Sequence, residues 1–188
     1  MIIQELTVGT FGTCCYLLSQ EDRQDCLVID PGAEPERIRK AAGKKAIAAI
    51  LLTHGHFDHI GAVSALMTEG CRLVIHSLDA SCLADPERNA GKPLLGRTVT
   101  APPPTDLVRE GSELTLAGLP IQVLHTPGHT PGSCCYLIGG HLFTGDTLFE
   151  HGWGRTDLPG GSEHEMMASL RRLIPLFREY PIHPGHDA

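Results

Sequence analysis

The segment Ala46–Thr53 (AIAAILLT) is a largely apolar run of strand length that leads directly into His54-Gly55-His56-Phe57-Asp58-His59. Such a run fits a strand buried on both faces, which commits the fold to a sheet covered on each side. The end of the run then presents four metal-competent side chains within six residues. In an extended or looping segment alternate residues point the same way, so His54 and His56 can serve one ion. Asp58 and His59 follow as the chain turns toward a helix, face a second direction and can serve another. Crowding these groups together is costly without a cation among them. A lone His-x-His is weak evidence, but the full motif behind a buried strand is strong.

The flanking pattern alternates between strands and helices. Ile2–Val8, Thr13–Ser19 and Asp25–Ile29 read as strands, the third closed by the turn Asp30-Pro31-Gly32. Glu34–Ala42 reads as a helix ended by Gly43. Beyond the histidine motif, Ile60–Thr68 and Ser77–Ala84 are expected as helices, with a strand at Cys71–Ile75 between them. Arg88–Thr105 is expected as a variable or mobile loop stiffened by Pro102-Pro103-Pro104. Strands follow at Leu114–Leu116 and Ile121–His125. A hairpin of Cys134–Ile138 and His141–Thr144 turns at Gly139-Gly140. Ser162–Phe177 reads as a helix with Ser162 as N-cap and Glu165 three residues on, and Tyr180–His183 as a last strand. Gly12-Thr13-Cys14-Cys15-Tyr16-Leu17-Leu18 echoes Gly132-Ser133-Cys134-Cys135-Tyr136-Leu137-Ile138, each copy followed by a second strand running to an aspartate, Asp30 or Asp146. Two related β-layers face to face with helices outside, a four-layer α/β sandwich, suit this better than one doubly wound sheet.

Composition narrows the function. A length of 188 residues fits one domain. The 15 Lys+Arg against 22 Asp+Glu give a net charge of −7, and no basic stripe occurs, so no nucleic-acid partner is expected. No apolar run approaches the ~18 residues of a membrane span, and the strand-like start suggests no signal peptide. The seven cysteines are odd in number, include the adjacent pairs Cys14-Cys15 and Cys134-Cys135, and form no Cys-x-x-Cys. They read as reduced thiols in a cytoplasmic protein.

Further ligands can come from His129 between two Gly/Pro turns, Asp146 at a strand end, and His186 in Pro184-Gly185-His186. With the motif they complete a His/Asp donor set without thiolate, which suits zinc, iron or manganese and leaves coordination positions open.

These residues, in this order, resemble the metallo-β-lactamase superfamily over nearly the whole chain. Within it the chain looks most like the glyoxalase II (hydroxyacylglutathione hydrolase) group, especially short bacterial members without the C-terminal helical domain. Three motifs carry the resemblance: Thr126-Pro127-Gly128-His129-Thr130-Pro131-Gly132-Ser133, Thr144-Gly145-Asp146-Thr147-Leu148-Phe149 and Gly154-Arg155-Thr156-Asp157-Leu158-Pro159-Gly160-Gly161. The resemblance implies an αββα fold in a single domain, residues 1–188, and a dinuclear centre, with two zinc ions or with iron or manganese in their place. His54, His56 and His129 would bind the first ion, and Asp58, His59 and His186 the second. Asp146 would bridge them, and Asp30 would orient a ligand histidine. The implied reaction is hydrolysis of an acyl thioester, such as S-lactoylglutathione or a related hydroxyacyl thioester, by a metal-bridging hydroxide, with Asp58 and Asp146 as the catalytic carboxylates. The alternatives are a persulfide dioxygenase-like enzyme with one iron, and a lactonase on the same two ions. No counterpart of the C-terminal helical domain that holds glutathione in full-length members of that group is expected.

Other residues near these motifs have ordinary explanations as well. Arg155 is a candidate for a substrate carboxylate, with a loop ion pair to Asp157 slightly favoured. Trp153 is a candidate pocket wall or a packing aromatic. His183 rivals His186 as the last ligand, and His125 reads as part of a turn. His76, His141, His151 and His164 read as surface or core.

Overall fold

The computed structural model describes residues 1–187. Eleven strands form two sheets. The strands β1 (Ile2–Val8), β2 (Thr13–Ser19), β3 (Asp25–Ile29), β4 (Ala46–Leu51), β5 (Arg72–His76) and β6 (Asp106–Val108) make the first sheet in that order. Its β1–β2 and β2–β3 pairs are antiparallel and the remaining pairs parallel. The second sheet has the order β11-β10-β9-β8-β7. It is built from β7 (Glu113–Leu116), β8 (Leu119–His125), β9 (Cys134–Ile138), β10 (His141–Gly145) and β11 (Ile182–Pro184). Only the β10–β11 pair in it is parallel.

The alternation of side chains along a strand builds the layers. In β2, Cys14, Tyr16 and Leu18 point between the sheets, where they meet Val123, Cys134, Tyr136 and Phe143. Cys15 and Leu17 point the other way, onto helix α1 (Pro35–Ala42) through Ile38 and onto Ile60, Val63 and Leu66. Cys135 and Leu142 of the second sheet pack outward against Leu173 of helix α5 (Glu163–Glu179). The result is an αββα sandwich, with all seven cysteines buried and free. Ser162 caps α5, its Oγ accepting from the Glu165 N–H.

Three segments depart from the expectations. The helix expected over Ile60–Thr68 is two single turns, α2 (Phe57–Ile60) and α3 (Val63–Leu66). The Ala62 N–H, which a continuous helix would give to Asp58, goes to Pro31 O at 2.9 Å. Ser77–Ala84 holds only a 3-10 turn at Ala80–Leu83. Arg88–Thr105 is not a free loop. It contains the short helix α4 (Gly91–Leu95), and the buried Asn89 amide ties it down by donating to Cys82 O and Val99 O at 3.0 and 2.8 Å. No helix among the described residues is long and apolar enough to cross a membrane.

Candidate metal centre

Both sheets contribute to one end of the sandwich. From the first sheet, β4 delivers His54 and His56 in the loop after it, then Asp58 and His59 on α2. From the second, His129 follows β8, Asp146 follows β10 and His186 follows β11. Two groups result. His54, His56 and His129 offer ring nitrogens within 4.8 Å of one another, and Asp58, His59 and His186 do the same with a carboxylate oxygen and two ring nitrogens. Asp146 stands between them. Its Oδ2 lies 3.3 Å from His129 Nε2 and 3.5 Å from His186 Nε2, and its Oδ1 lies 3.4 Å from His59 Nε2.

The surrounding chain turns the rings toward the centre. Asp30 Oδ1 accepts from the Thr53 N–H at 2.8 Å, and its Oδ2 accepts from Thr53 Oγ1 at 2.6 Å. Thr53 Oγ1 is then free to accept from His54 Nδ1 at 3.1 Å, which leaves His54 Nε2 facing inward. The same Asp30 Oδ2 approaches His59 Nδ1 at 3.0 Å. His129 Nδ1 donates to the Arg155 carbonyl at 2.7 Å, and His186 Nδ1 to the Phe11 carbonyl at 3.1 Å. A carbonyl on the far ring nitrogen fixes both tautomer and ring orientation.

Asp79 joins the two loops that hold the first group. Its Oδ2 accepts from the Gly55 N–H at 2.9 Å and from Thr130 Oγ1 at 2.7 Å, and its Oδ1 accepts from the Gly132 N–H at 2.7 Å. Nothing in the local sequence marks this residue, because its partners lie 24 to 53 positions away.

The electrostatics are those of a cation site. Burial pushes the imidazoles of His54 and His56 toward the neutral form, His56 to about 3, and neighbouring imidazoles add to this. Burial would raise Asp146 and Asp58, but the histidines around them outweigh it and hold both carboxyls below their usual range. Burial would lower His59 and His186, but carboxylates outweigh it and raise them to about 9 and 10. His54 Nε2, His56 Nε2 and Asp146 Oδ1 are buried with no hydrogen-bond partner. His56 Nδ1 faces His129 Nε2 at 2.8 Å, and His59 Nε2 faces His186 Nε2 at 3.3 Å. Imidazole nitrogens crowded face to face in a buried site are costly, and a divalent ion in each group would relieve that cost. The donor set of nitrogen and oxygen suits zinc, iron or manganese.

The other candidates are placed plainly. Arg155 makes a two-pronged ion pair with Asp157 at 2.6 and 2.7 Å, so its side chain shapes the loop while its carbonyl holds His129. Trp153 is 54% exposed and is absent from the pocket lining, so it does not wall the pocket. His183 lies apart from the centre, its Nε2 2.9 Å from His141 Nδ1 and its ring stacked on Phe143. His125 bonds Pro131 O at 2.8 Å within the turn and stacks on His76.

The metallo-beta-lactamase superfamily model matches residues 8–186. The chain belongs to the metallo-β-lactamase superfamily. Among its superfamily relatives is the probable metallo-hydrolase YqgX of Bacillus subtilis, 35% identical over 97% of this chain and 89% of that protein. Hydroxyacylglutathione hydrolase GloC of Haemophilus influenzae is 32% identical over 100% of this chain and 92% of its own. Two solved structures are also similar, each at 35% identity. BLEG-1 B3 metallo-beta-lactamase superposes with a TM-score of 0.90 over 100% of this chain and 92% of that one. TTHA1623 in a di-iron-bound form does so at 0.85 over 98% and 92%. The superfamily membership and the probable metallo-hydrolase among its relatives support a metallo-hydrolase, and the di-iron neighbour shows that zinc is not the one ion such a fold accepts.

Proposed function

We propose that this chain hydrolyses acyl thioesters at a two-metal centre held by His54, His56 and His129 on one side and Asp58, His59 and His186 on the other. The observation that carries this reading is the position of Asp146, whose two carboxylate oxygens reach ring nitrogens of both groups. The resemblance of the chain to a hydroxyacylglutathione hydrolase supports the thioester as substrate.

When bound, two divalent ions supply Lewis acidity and a water acidic enough to attack near neutral pH. The chain supplies the rest. Asp146 is shared by both groups. Asp58 Oδ2, close to His186 Nε2 at 3.3 Å, is an unprotonated acceptor for the proton of the attacking water. The Phe11 and Arg155 carbonyls keep His186 and His129 from rotating away. In the net reaction the water oxygen bonds the acyl carbon, the C–S bond breaks, and the sulfur leaves with the electron pair. A thiol has a pKa of about 8.5, so the leaving group needs no strong acid beside it, and none lines the pocket. Zinc is the first choice of ion, and the di-iron-bound relative supports iron as the alternative.

The test is thiol release from S-lactoylglutathione and from S-acetyl-N-acetylcysteamine by protein loaded with two equivalents of zinc or iron. Metal-dependent release that His54→Ala abolishes is expected. No release of either thiol by protein shown to hold two ions per chain overturns the reading.

A further inference from the structure

The centre opens into a cavity of about 420 Å³. Apart from the site groups, Arg155 and Asp187, its wall is apolar, formed mainly by Phe11, Phe57, Ala90, Leu94, Phe149 and Leu158. Phe57 packs edge-on against Phe11, ring centroids 5.1 Å apart, and so props up one side. Phe11 and Leu94 are 45% and 42% exposed, large apolar groups left uncovered at the mouth. No lysine lines the cavity, and its one guanidinium, Arg155, is ion-paired through Nε and Nη2 with both oxygens of Asp157. Asp187 adds a carboxylate to the rim. Arg97, which has no ion-pair partner among the described residues, lines a separate hollow that shares only Phe11, Phe57 and Asp58 with this one. Outside the metal centre, a substrate carboxylate thus meets no unpaired cationic side chain in the cavity, whereas an apolar group meets aromatic and aliphatic surface on several sides.

Building on the thioester reading, we infer that the substrate is an uncharged thioester with a bulky apolar acyl group, seated among Phe11, Leu94, Phe149 and Leu158. The centre then acts on the carbonyl at the cavity floor while the side chains above select by fit and dryness. Glutathione, with two carboxylates, is the wrong carrier for this wall.

The test crosses two acyl groups with two carriers: acetyl and phenylacetyl, each on N-acetylcysteamine and on glutathione. With metal-loaded protein, kcat/KM for phenylacetyl over acetyl should be about tenfold or more, the scale of a filled apolar pocket. N-acetylcysteamine should be preferred to glutathione at equal acyl group. Leu94→Ala and Phe149→Ala should each cut the phenylacetyl-to-acetyl ratio several-fold. Leu94 lies on the exposed rim, so its loss does not unfold the chain. A second readout needs no turnover: calorimetric binding of the uncleavable thioether S-phenethyl-N-acetylcysteamine, weakened in the same variants. If thioester cleavage fails but this binding behaves as stated, the cavity inference stands and the proposed reaction falls. If thioesters are cleaved with glutathione preferred, with no acyl preference, or with Arg97→Ala removing activity on glutathione thioesters alone, the inference is overturned and the reaction stands.

Discussion

Tyr16 and Tyr136 reach across the sandwich in opposite directions, each donating to the strand end that leads into the other sheet's ligand loop. Tyr16 Oη bonds Pro184 O at 2.6 Å and Tyr136 Oη bonds Leu52 O at 2.8 Å, two residues ahead of His186 and His54 respectively. The backbone repeats the relation, with Cys14 N–H on Gly185 O at 2.8 Å and Cys134 N–H on Thr53 O at 2.9 Å. The sequence echo between the two halves is therefore a pair of matching clasps. Tyr136→Phe leaves a buried carbonyl unsatisfied and should cost about 1–3 kcal/mol. The Tyr16 ring is also enclosed, and Tyr16→Phe should cost a similar amount. Urea denaturation should show a lower midpoint at unchanged slope, and an unchanged midpoint in both variants would refute the clasp.

Asp79→Asn replaces an acceptor of three hydrogen bonds with a group that turns an amide N–H toward at least one of the same donors. Loss of an orienting partner around a metal centre typically costs ten- to a hundredfold in affinity. Zinc titration should show that loss in the group of His54, His56 and His129, with thermal unfolding moved down by several degrees. Wild-type affinity would remove Asp79 from the positioning of the loops.

At position 185 the limit is space. A Cβ there would collide with Asp146 Oδ1 and come within 2.9 Å of His59 Cε1. Gly185→Ala should therefore lower the bound metal below two ions per chain while circular dichroism stays native. Full occupancy by elemental analysis would contradict this.

Two histidines outside the centre, the buried His76 and the half-buried His183, set a pH window. Burial and a neighbouring imidazole hold His76 and His183 down at about 4, against about 6.5 in an unfolded chain. His76 is stacked 4.1 Å from His125, with Arg109 and Glu110 nearby, and His183 faces His141. The unfolded chain binds the protons first, so their contribution is complete above about pH 6.5 and declines as pH falls toward 4. Denaturation midpoints at pH 7 and pH 5 should differ less in His76→Gln and His183→Gln than in the native chain. A native chain more stable at pH 5 would reverse the sign and sink the assignment.

Arg155→Ala removes a loop ion pair but leaves the carbonyl that holds His129. It should alter kcat/KM for acidic and neutral thioesters by the same small factor. A selective rise in KM for the acidic ones would return Arg155 to substrate binding.

Much of this was readable from the sequence because the signals were local. The buried run before His54 and the echo between the segments around Cys14-Cys15 and Cys134-Cys135 lead to the two face-to-face sheets. The segments that differed are decided by distant partners. Ile60–Thr68 breaks where Pro31 takes the Ala62 N–H, and Arg88–Thr105 is ordered by the Asn89 amide together with the backbone bonds Ala101 N–H to Leu83 O and Thr105 N–H to Leu73 O. Around the centre the residues with short motifs were visible from the sequence. Thr53 and Asp79, and the Phe11 and Arg155 carbonyls, were not, since a lone side chain or a main-chain oxygen leaves no pattern to read.

Each triad of the centre takes two members from one sheet and one from the other, with Asp146 between them. An ion seated there is a rivet through the joint of the sandwich. Any sliding of one sheet past the other shears both rivets at once, so occupancy of the centre registers the alignment of the whole fold.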